Sequence, residues 1–302
     1  RLARCSAKYD NIAFCGYHGW HDWYLSSNLN TKNNLKFHLL PDLDTKGIPK
    51  FLKNSVFPFK YGENINFKNF FKKNKIGVVI TELSRQKKID LKFLKKLLAE
   101  AKKSGVIVIF DECTSGFREY FGGIHLKYNL KPDIVTYGKA IGNGYPITAI
   151  LGAAKIMDNA KTSFISSTFW TERIGFVAAL ETLRILKRNK THNHLINLGK
   201  FIKLEWKKIA KKNNLLIDIS GLDALPSFSL KKLDMKVIKT YISQEMLKNN
   251  ILASNVIYLS ASHNKNHFKK YFKILDKIFF NISKNNFSLD TVPAKSTLKR
   301  LN

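Results

Sequence analysis

Short apolar runs alternate with helical patterns along the first half of the chain. Asn11–Cys15 (NIAFC), Gly77–Leu83 (GVVITEL), Val106–Phe110 (VIVIF) and Asp133–Tyr137 (DIVTY) each predict a strand. Continuous apolar strands of this kind suit a sheet covered on both faces. Between the second and third, Leu91, Leu94, Leu97, Leu98 and Ala101 recur at helical spacing with lysines on the other face, and Gly105 stands ready as the C′ residue. Strand, helix, strand implies a right-handed parallel crossover, and the class is α/β. After residue 165 the pattern changes. Glu172–Leu186 and Leu195–Ala210 predict long helices, and Phe268, Phe272, Leu275, Phe279 and Ile282 mark an amphipathic one. Leu215–Ile219, Ser227–Leu230 and Val256–Ser260 predict strands of a small α+β domain. The expected division is a large domain over 1–187, a small C-terminal domain over 188–284 and a polar tail over 285–302.

Composition narrows the function classes. The 302 residues are 44% apolar, enough for a sizeable core, and no apolar run is long enough to span a bilayer. No internal repeat, long linker or signal peptide is visible. The chain begins with Arg1 rather than Met, which reads as a fragment or a processed product. Three cysteines, Cys5, Cys15 and Cys113, lack CxxC spacing, so neither a disulfide framework nor a zinc site is expected and a reducing cytoplasm is the natural compartment. The net charge of +30 is carried mostly by lysines spread along the whole chain. Lys, Asn, Ile and Phe are abundant together, as an AT-rich genome would produce. A nucleic-acid binder would instead concentrate its charge on one face or arm, so specific nucleic-acid binding is not expected, although non-specific attraction to polyanions follows from the charge.

Polar and reactive residues sit just after the apolar strands. Tyr17 and His18 follow the first, Glu82 closes the second, Asp111 and Glu112 close the third, and Lys139 lies just beyond the fourth. In open parallel sheets, ligands bind outside the carboxyl ends of the strands, so these placements point to one pocket. Lys139 lies in the glycine-rich stretch Gly138-Lys-Ala-Ile-Gly-Asn-Gly-Tyr-Pro146. A lysine emerging there is partly desolvated, which favours the neutral amine as a nucleophile toward an aldehyde. Asp111 ends the most apolar strand. A carboxylate there is costly unless paired; a protonated heterocycle nitrogen, such as that of pyridoxal 5′-phosphate (PLP), would pair it, and a helix cap or salt bridge is the plainer alternative. Glu112 reads as structural. His18, His21 and Asp22 invite a metal reading, but no further ligand has suitable spacing. Thr168 or Thr171, before the long helix, reads from spacing as a helix cap or as part of an anion site.

Phe110-Asp-Glu-Cys-Thr-Ser-Gly-Phe-Arg118, Lys131-Pro-Asp-Ile134 and Gly138–Pro146 resemble the class III aminotransferases, and within them the glutamate-1-semialdehyde aminomutase-like branch. Gly16–Trp23 and Ser166–Arg173 also resemble that branch, particularly members tied to surface-sugar biosynthesis. The similarity runs from about residue 1 to 282 and is most specific at its centre. It implies a fold-type I PLP-transferase large domain with a mostly parallel sheet, a small α+β domain, and a homodimer with a shared active site. It also implies an enzyme moving an amino group between a small-molecule donor and a carbonyl acceptor. The family's Schiff-base lysine falls on Lys139, its pyridinium aspartate on Asp111 and its ring-stacking aromatic on Tyr17, with His18 beside it. Its acid near the ring edge falls on Glu82, and the usually small apolar residue packing the ring on Cys113. The threonine that binds phosphate across the dimer interface falls on Thr168, which favours the anion site over the cap.

The sequence departs from that pattern in two places. The family's phosphate-gripping Gly/Ser/Thr loop would lie just before residue 1, so the N-terminal part of the fold is expected to be missing. Where the aminomutase branch reads Gly-Asn-Pro, this chain has Thr171-Glu172-Arg173. A transaminase is therefore the first expectation and an intramolecular aminomutase the second. A non-catalytic relic of the fold, or a basic polyanion-binding protein, is the alternative of another class. Arg118 and Arg173 are the candidates for holding a substrate carboxylate.

Overall fold

The computed structural model of the protein describes residues 1–31, 34–35, 44–84 and 89–293. Contacts along the chain divide it into two compact units, with the division between Ile185 and Leu186. The first contains α1 (Leu2–Ser6), β1 (Asn11–Cys15), α2 (Asp22–Leu25), β2 (Val56–Pro58), α3 (Phe67–Lys73), β3 (Ile76–Glu82), α4 (Leu91–Ser104), β4 (Ile107–Asp111), α5 (Ile124–Lys127), β5 (Ile134–Tyr137), β6 (Ala149–Gly152), α6 (Ala154–Met157) and most of α7 (Ile174–Arg188).

Among the described residues these strands form one sheet in the order β2-β1-β3-β4-β5-β6. All neighbours run parallel except β6, which is antiparallel to β5. The β-branched runs of β3 and β4 lie at the sheet centre, where Val79 and Phe110 are fully buried. Asp90 caps α4 by accepting from the Phe93 N–H, the helix buries Phe93, Leu94, Leu97 and Ala101, and Gly105 ends it in the left-handed conformation. Register then sets up the site. Glu82 of β3 lies opposite Asp111 of β4, and Asp111 lies opposite Thr136 of β5, so three strand ends come level at one edge.

The second unit contains α8 (Thr191–Lys212), β7 (Ile217–Ser220), β8 (Ser227–Leu230), α9 (Met235–Lys248) and α10 (His267–Ser283). β7 and β8 form an antiparallel hairpin. Trp206, Phe228 and Phe279 are fully buried at the centre of its core. The Trp206 Nε1–H donates to the Tyr271 hydroxyl at 3.0 Å, satisfying the polar tips of two buried rings. Burial pushes the Tyr271 phenol well above its usual range, so it stays neutral.

Several sequence expectations are corrected. The helix expected over Glu172–Leu186 is α7, and Glu172 stands outside it as its cap. The strand expected over Val256–Ser260 is reduced to an isolated bridge between Val256 and Ser227. Ile257 donates to the Pro226 carbonyl, but a proline has no N–H to return, and the Asn255 side chain takes the Phe228 carbonyl. β2 ends in a proline, α3 is a lysine-rich single patch around Phe67 and Phe71, and β6 is exposed, so none announces itself by periodicity. The first residues of the expected polar tail make contacts with α9. The Phe287 ring packs against Tyr241, and Gln244 donates to the Ser288 carbonyl and accepts from the Asp290 N–H. Residues 294–302 of that tail lie outside the described residues. Lysine and asparagine take the left-handed conformation at helix ends: Lys75 after α3, Lys190 at the N-cap of α8, and Asn214, Asn250 and Asn285 after α8, α9 and α10.

Candidate active site

The ends of β1, β3, β4 and β5 assemble one polar cluster from residues far apart in sequence. His18 is buried, stacked near Trp23 and edge-on to Phe14. Its Nε2–H donates to the Cys15 carbonyl at 3.0 Å, and its Nδ1 lies 2.8 Å from Asp111 Oδ2. Both partners are hydrogen-bond acceptors, so each ring nitrogen of His18 faces an oxygen, one of them a carboxylate oxygen of Asp111. The other carboxylate oxygen of Asp111 accepts from the Cys113 N–H at 3.0 Å and the Thr136 hydroxyl at 3.3 Å. Burial works to raise the Asp111 pKa, but the hydrogen bond and charge of His18, with those two further donors, hold it below the usual carboxylate value. Asp111 is therefore an ionised group fixed in orientation at the end of an apolar strand.

Glu82, at the end of β3, accepts from the Tyr17 N–H at 3.1 Å. The carboxylate packs where a Cβ on Gly16 would stand, 2.7 Å from Glu82 Oε2, so glycine at 16 (φ +110°) lets the Tyr17 turn sit on Glu82. The Tyr17 ring is half-buried and edge-on to Tyr24 at 5.8 Å.

Lys139 follows β5 at φ +48°, in the left-handed region that a lysine adopts only at a cost. The amine donates to Thr114 Oγ1 at 2.6 Å. A Cβ on Gly138 would fall 2.7 Å from Cys113 Sγ, so the loop after β4 packs directly on the Lys139 turn. Lys139, Cys113, Thr114, Asp111 and Thr136 thus form one continuous set of contacts. His18, Glu82 and Tyr17 join it through Asp111 and the β3–β4 register.

Glu112 is completely buried and plays the structural role expected of it. Its carboxylate accepts from the Ser115 hydroxyl, the backbone N–H groups of Ile124 and His125, and His125 Nδ1. It pins the loop from residue 112 to the start of α5.

Other expected residues stand elsewhere. Thr168 is exposed on a 3-10 turn and makes no hydrogen bond with the cluster. Neither Thr168 nor Thr171 caps α7; the Glu172 carboxylate does, accepting from the Ile174 and Gly175 N–H groups. The metal reading loses its anchor, because both ring nitrogens of His18 are engaged by Asp111 and Cys15, and His21 stacks on Trp20. Arg118 is half-buried beside Phe117, and Arg173 is exposed at the start of α7. Thr114 and Thr136 were missed by sequence reasoning. Their signal was positional: each lies within three residues of an expected site residue, on a strand end or the loop leaving it.

Residues 74–278, more than half of the chain, match the family model described as aminotransferase class-III. The chain is 28% identical over 263 residues to the 3-aminobutyryl-CoA aminotransferase of Cloacimonas acidaminovorans, an alignment covering 83% of this chain and 59% of that protein. It is 29% identical over 289 residues to the glutamate-1-semialdehyde 2,1-aminomutase of Sulfolobus acidocaldarius, covering 90% of this chain and 67% of the relative. The chain therefore spans about six-tenths to two-thirds of the length of these relatives. Its fold matches that of the FumI protein of Sphingopyxis sp. MTA144, solved in its PLP internal aldimine form, with a TM-score of 0.83 at 22% identity over 96% of this chain and 69% of that one.

Proposed function

This chain belongs to the class III aminotransferase family, and we propose from that premise that it carries the PLP-binding and amino-transfer centre of an aminotransferase. One observation carries the reading: a primary amine, Lys139, and an ionised carboxylate, Asp111, converge through the Cys113–Thr114 loop on one edge of the sheet. The donor set fits PLP. Asp111, already held ionised, would hold the proton on the pyridine nitrogen; Tyr17 would restrain the ring plane; Cys113 would pack beside it and Glu82 near its edge.

Bound there, the cofactor supplies an aldehyde for amines and a cationic ring that withdraws electrons from the reacting carbon. The protein's own groups do the rest. Asp111 keeps the ring nitrogen protonated, and His18 keeps Asp111 ionised and aimed. Lys139, once its amine is free, would take a proton from the substrate carbon that bears the nitrogen and deliver it to the carbon on the other side of that nitrogen. The substrates are a small-molecule amino donor and a carbonyl acceptor.

The working unit we infer is a homodimer. Ile174, Phe176, Val177 and Leu180 on the first two turns of α7, and Phe169 and Trp170 just before it, are large apolar side chains left exposed. Contiguous apolar surface of this kind marks an interface, and a second copy could bring Thr168 to the cofactor phosphate. The three cysteines, Cys5, Cys15 and Cys113, are not joined in disulfides, which suits a reducing cytoplasm. Intramolecular transfer of the aminomutase type is the second reading, favoured by the resemblance to the Sulfolobus enzyme.

Reconstitution tests the proposal. Adding PLP is expected to produce a visible absorbance band that borohydride removes, with the label recovered on the peptide containing Lys139. A Lys139→Ala protein that still forms the same borohydride-sensitive band, or a wild-type protein labelled only at other lysines, overturns it. Turnover that requires a second carbonyl compound favours the transaminase; rearrangement without one favours the aminomutase.

A further inference from the structure

The geometry points to Thr114 as a positioning residue that holds the Lys139 amine between its reactive steps; this rests on the function proposed above. Thr114 is 5% exposed, and its hydroxyl lies 2.6 Å from Lys139 Nζ. A hydroxyl is both donor and acceptor. It can accept from an ammonium and, by rotating its O–H, donate to the lone pair of the neutral amine. Thr114 can therefore hold the same nitrogen in both protonation states, which a group that must gain and lose a proton requires.

The scaffold around Thr114 is over-determined in a way that serves this contact. The Cys113 N–H is tied to Asp111, and the Gly116 N–H donates to the Glu112 carbonyl at 2.7 Å, so Thr114 sits in a loop fastened on both sides. The Glu112 carboxylate also takes the Ser115 hydroxyl. On the other side, Lys139 starts a 3-10 turn in which the Ile141 N–H reaches Gly138 and the Gly142 N–H reaches Lys139. The left-handed backbone of Lys139 is a cost that such tethering offsets. The same loop thus orients Asp111 and Lys139, and Thr114 is its contact with the amine.

The test compares wild type, Thr114→Ser and Thr114→Val, with and without cofactor. In the apoprotein, the rate at which Lys139 condenses with added PLP is followed by borohydride quenching. The amine nitrogen bonds to the aldehyde carbon, water leaves, and hydride saturates the C=N bond, so the label survives digestion and is read by peptide mass. Thr114→Val is expected to slow labelling of Lys139 about tenfold, the equivalent of one hydrogen bond to a charged group, while the other lysines label as before. Thr114→Ser should restore it. In the reconstituted enzyme Thr114→Val should lower kcat with little change in KM, again rescued by serine. Equal labelling of Lys139 in wild type and Thr114→Val, at matched folding by circular dichroism, overturns the role of Thr114. Absence of Lys139 labelling in the wild type instead overturns the function on which it rests. If Thr114→Val does not fold, Thr114→Ala takes its place with the same expectations.

Discussion

Asp111 and His18 form a pair 2.8 Å apart in which the imidazole is itself anchored, through its other nitrogen, to the Cys15 carbonyl at the end of β1. The carboxylate is thereby fixed by a neighbouring strand end as well as its own. Replacing His18 by Phe keeps a ring in the stack with Trp23 but removes the partner charge. Affinity for PLP, measured by absorbance titration, is expected to fall about 10- to 100-fold, the usual cost of removing a hydrogen bond to a charged group. Unchanged affinity would show that Asp111 needs no partner.

The same pair gives stability a pH dependence of definite sign. Folding lowers the Asp111 pKa, so the folded protein resists protonating it. That stabilisation is complete above the unfolded carboxylate value of about 4 and is lost as pH falls through the depressed folded value. Urea midpoints of wild type and Asp111→Asn are expected to converge as pH drops below about 4, and to stay apart at neutral pH.

Packing of the Cys113–Thr114 loop on the lysine turn is testable by a double-mutant cycle. Gly138→Ala puts a methyl 2.7 Å from Cys113 Sγ and should cost about 1–3 kcal/mol by overpacking. Cys113→Ala in the same chain removes the sulfur and should recover most of that loss. Thermal melts of the four proteins read the coupling; strict additivity would mean the two positions do not touch.

The apolar start of α7 predicts the oligomeric state. Val177→Asp with Leu180→Asp is expected to convert a dimer into a monomer on analytical ultracentrifugation, because two charges cannot be buried unpaired at an interface. A wild-type protein that sediments as a monomer would remove the homodimer from the proposal.

How much of this was legible beforehand depended on the kind of signal. The central strands were readable because fully buried parallel strands are long β-branched runs, and α4 because it carries both its cap and its terminating glycine. The reactive residues were readable because they interrupt those runs at their ends. What stayed hidden was made by contact rather than by pattern. Glu172 caps α7 from a position where spacing favoured threonine, and Thr114 reaches an amine 25 residues away in a bond no periodicity encodes. Strand Val256–Ser260 failed for the opposite reason: its own residues suit a ladder, and the proline that breaks it lies on the neighbouring segment.

The lysines that hold the left-handed conformation at helix ends have a practical consequence. Lys75 and Lys190 occupy backbone geometry that asparagine tolerates well and lysine poorly, outside the cluster around Asp111. Each is therefore a place where glycine would carry the same backbone at lower cost. Exchanging each for glycine should raise the melting temperature by a few degrees together, at about 0.5–1 kcal/mol apiece, and leave catalysis untouched.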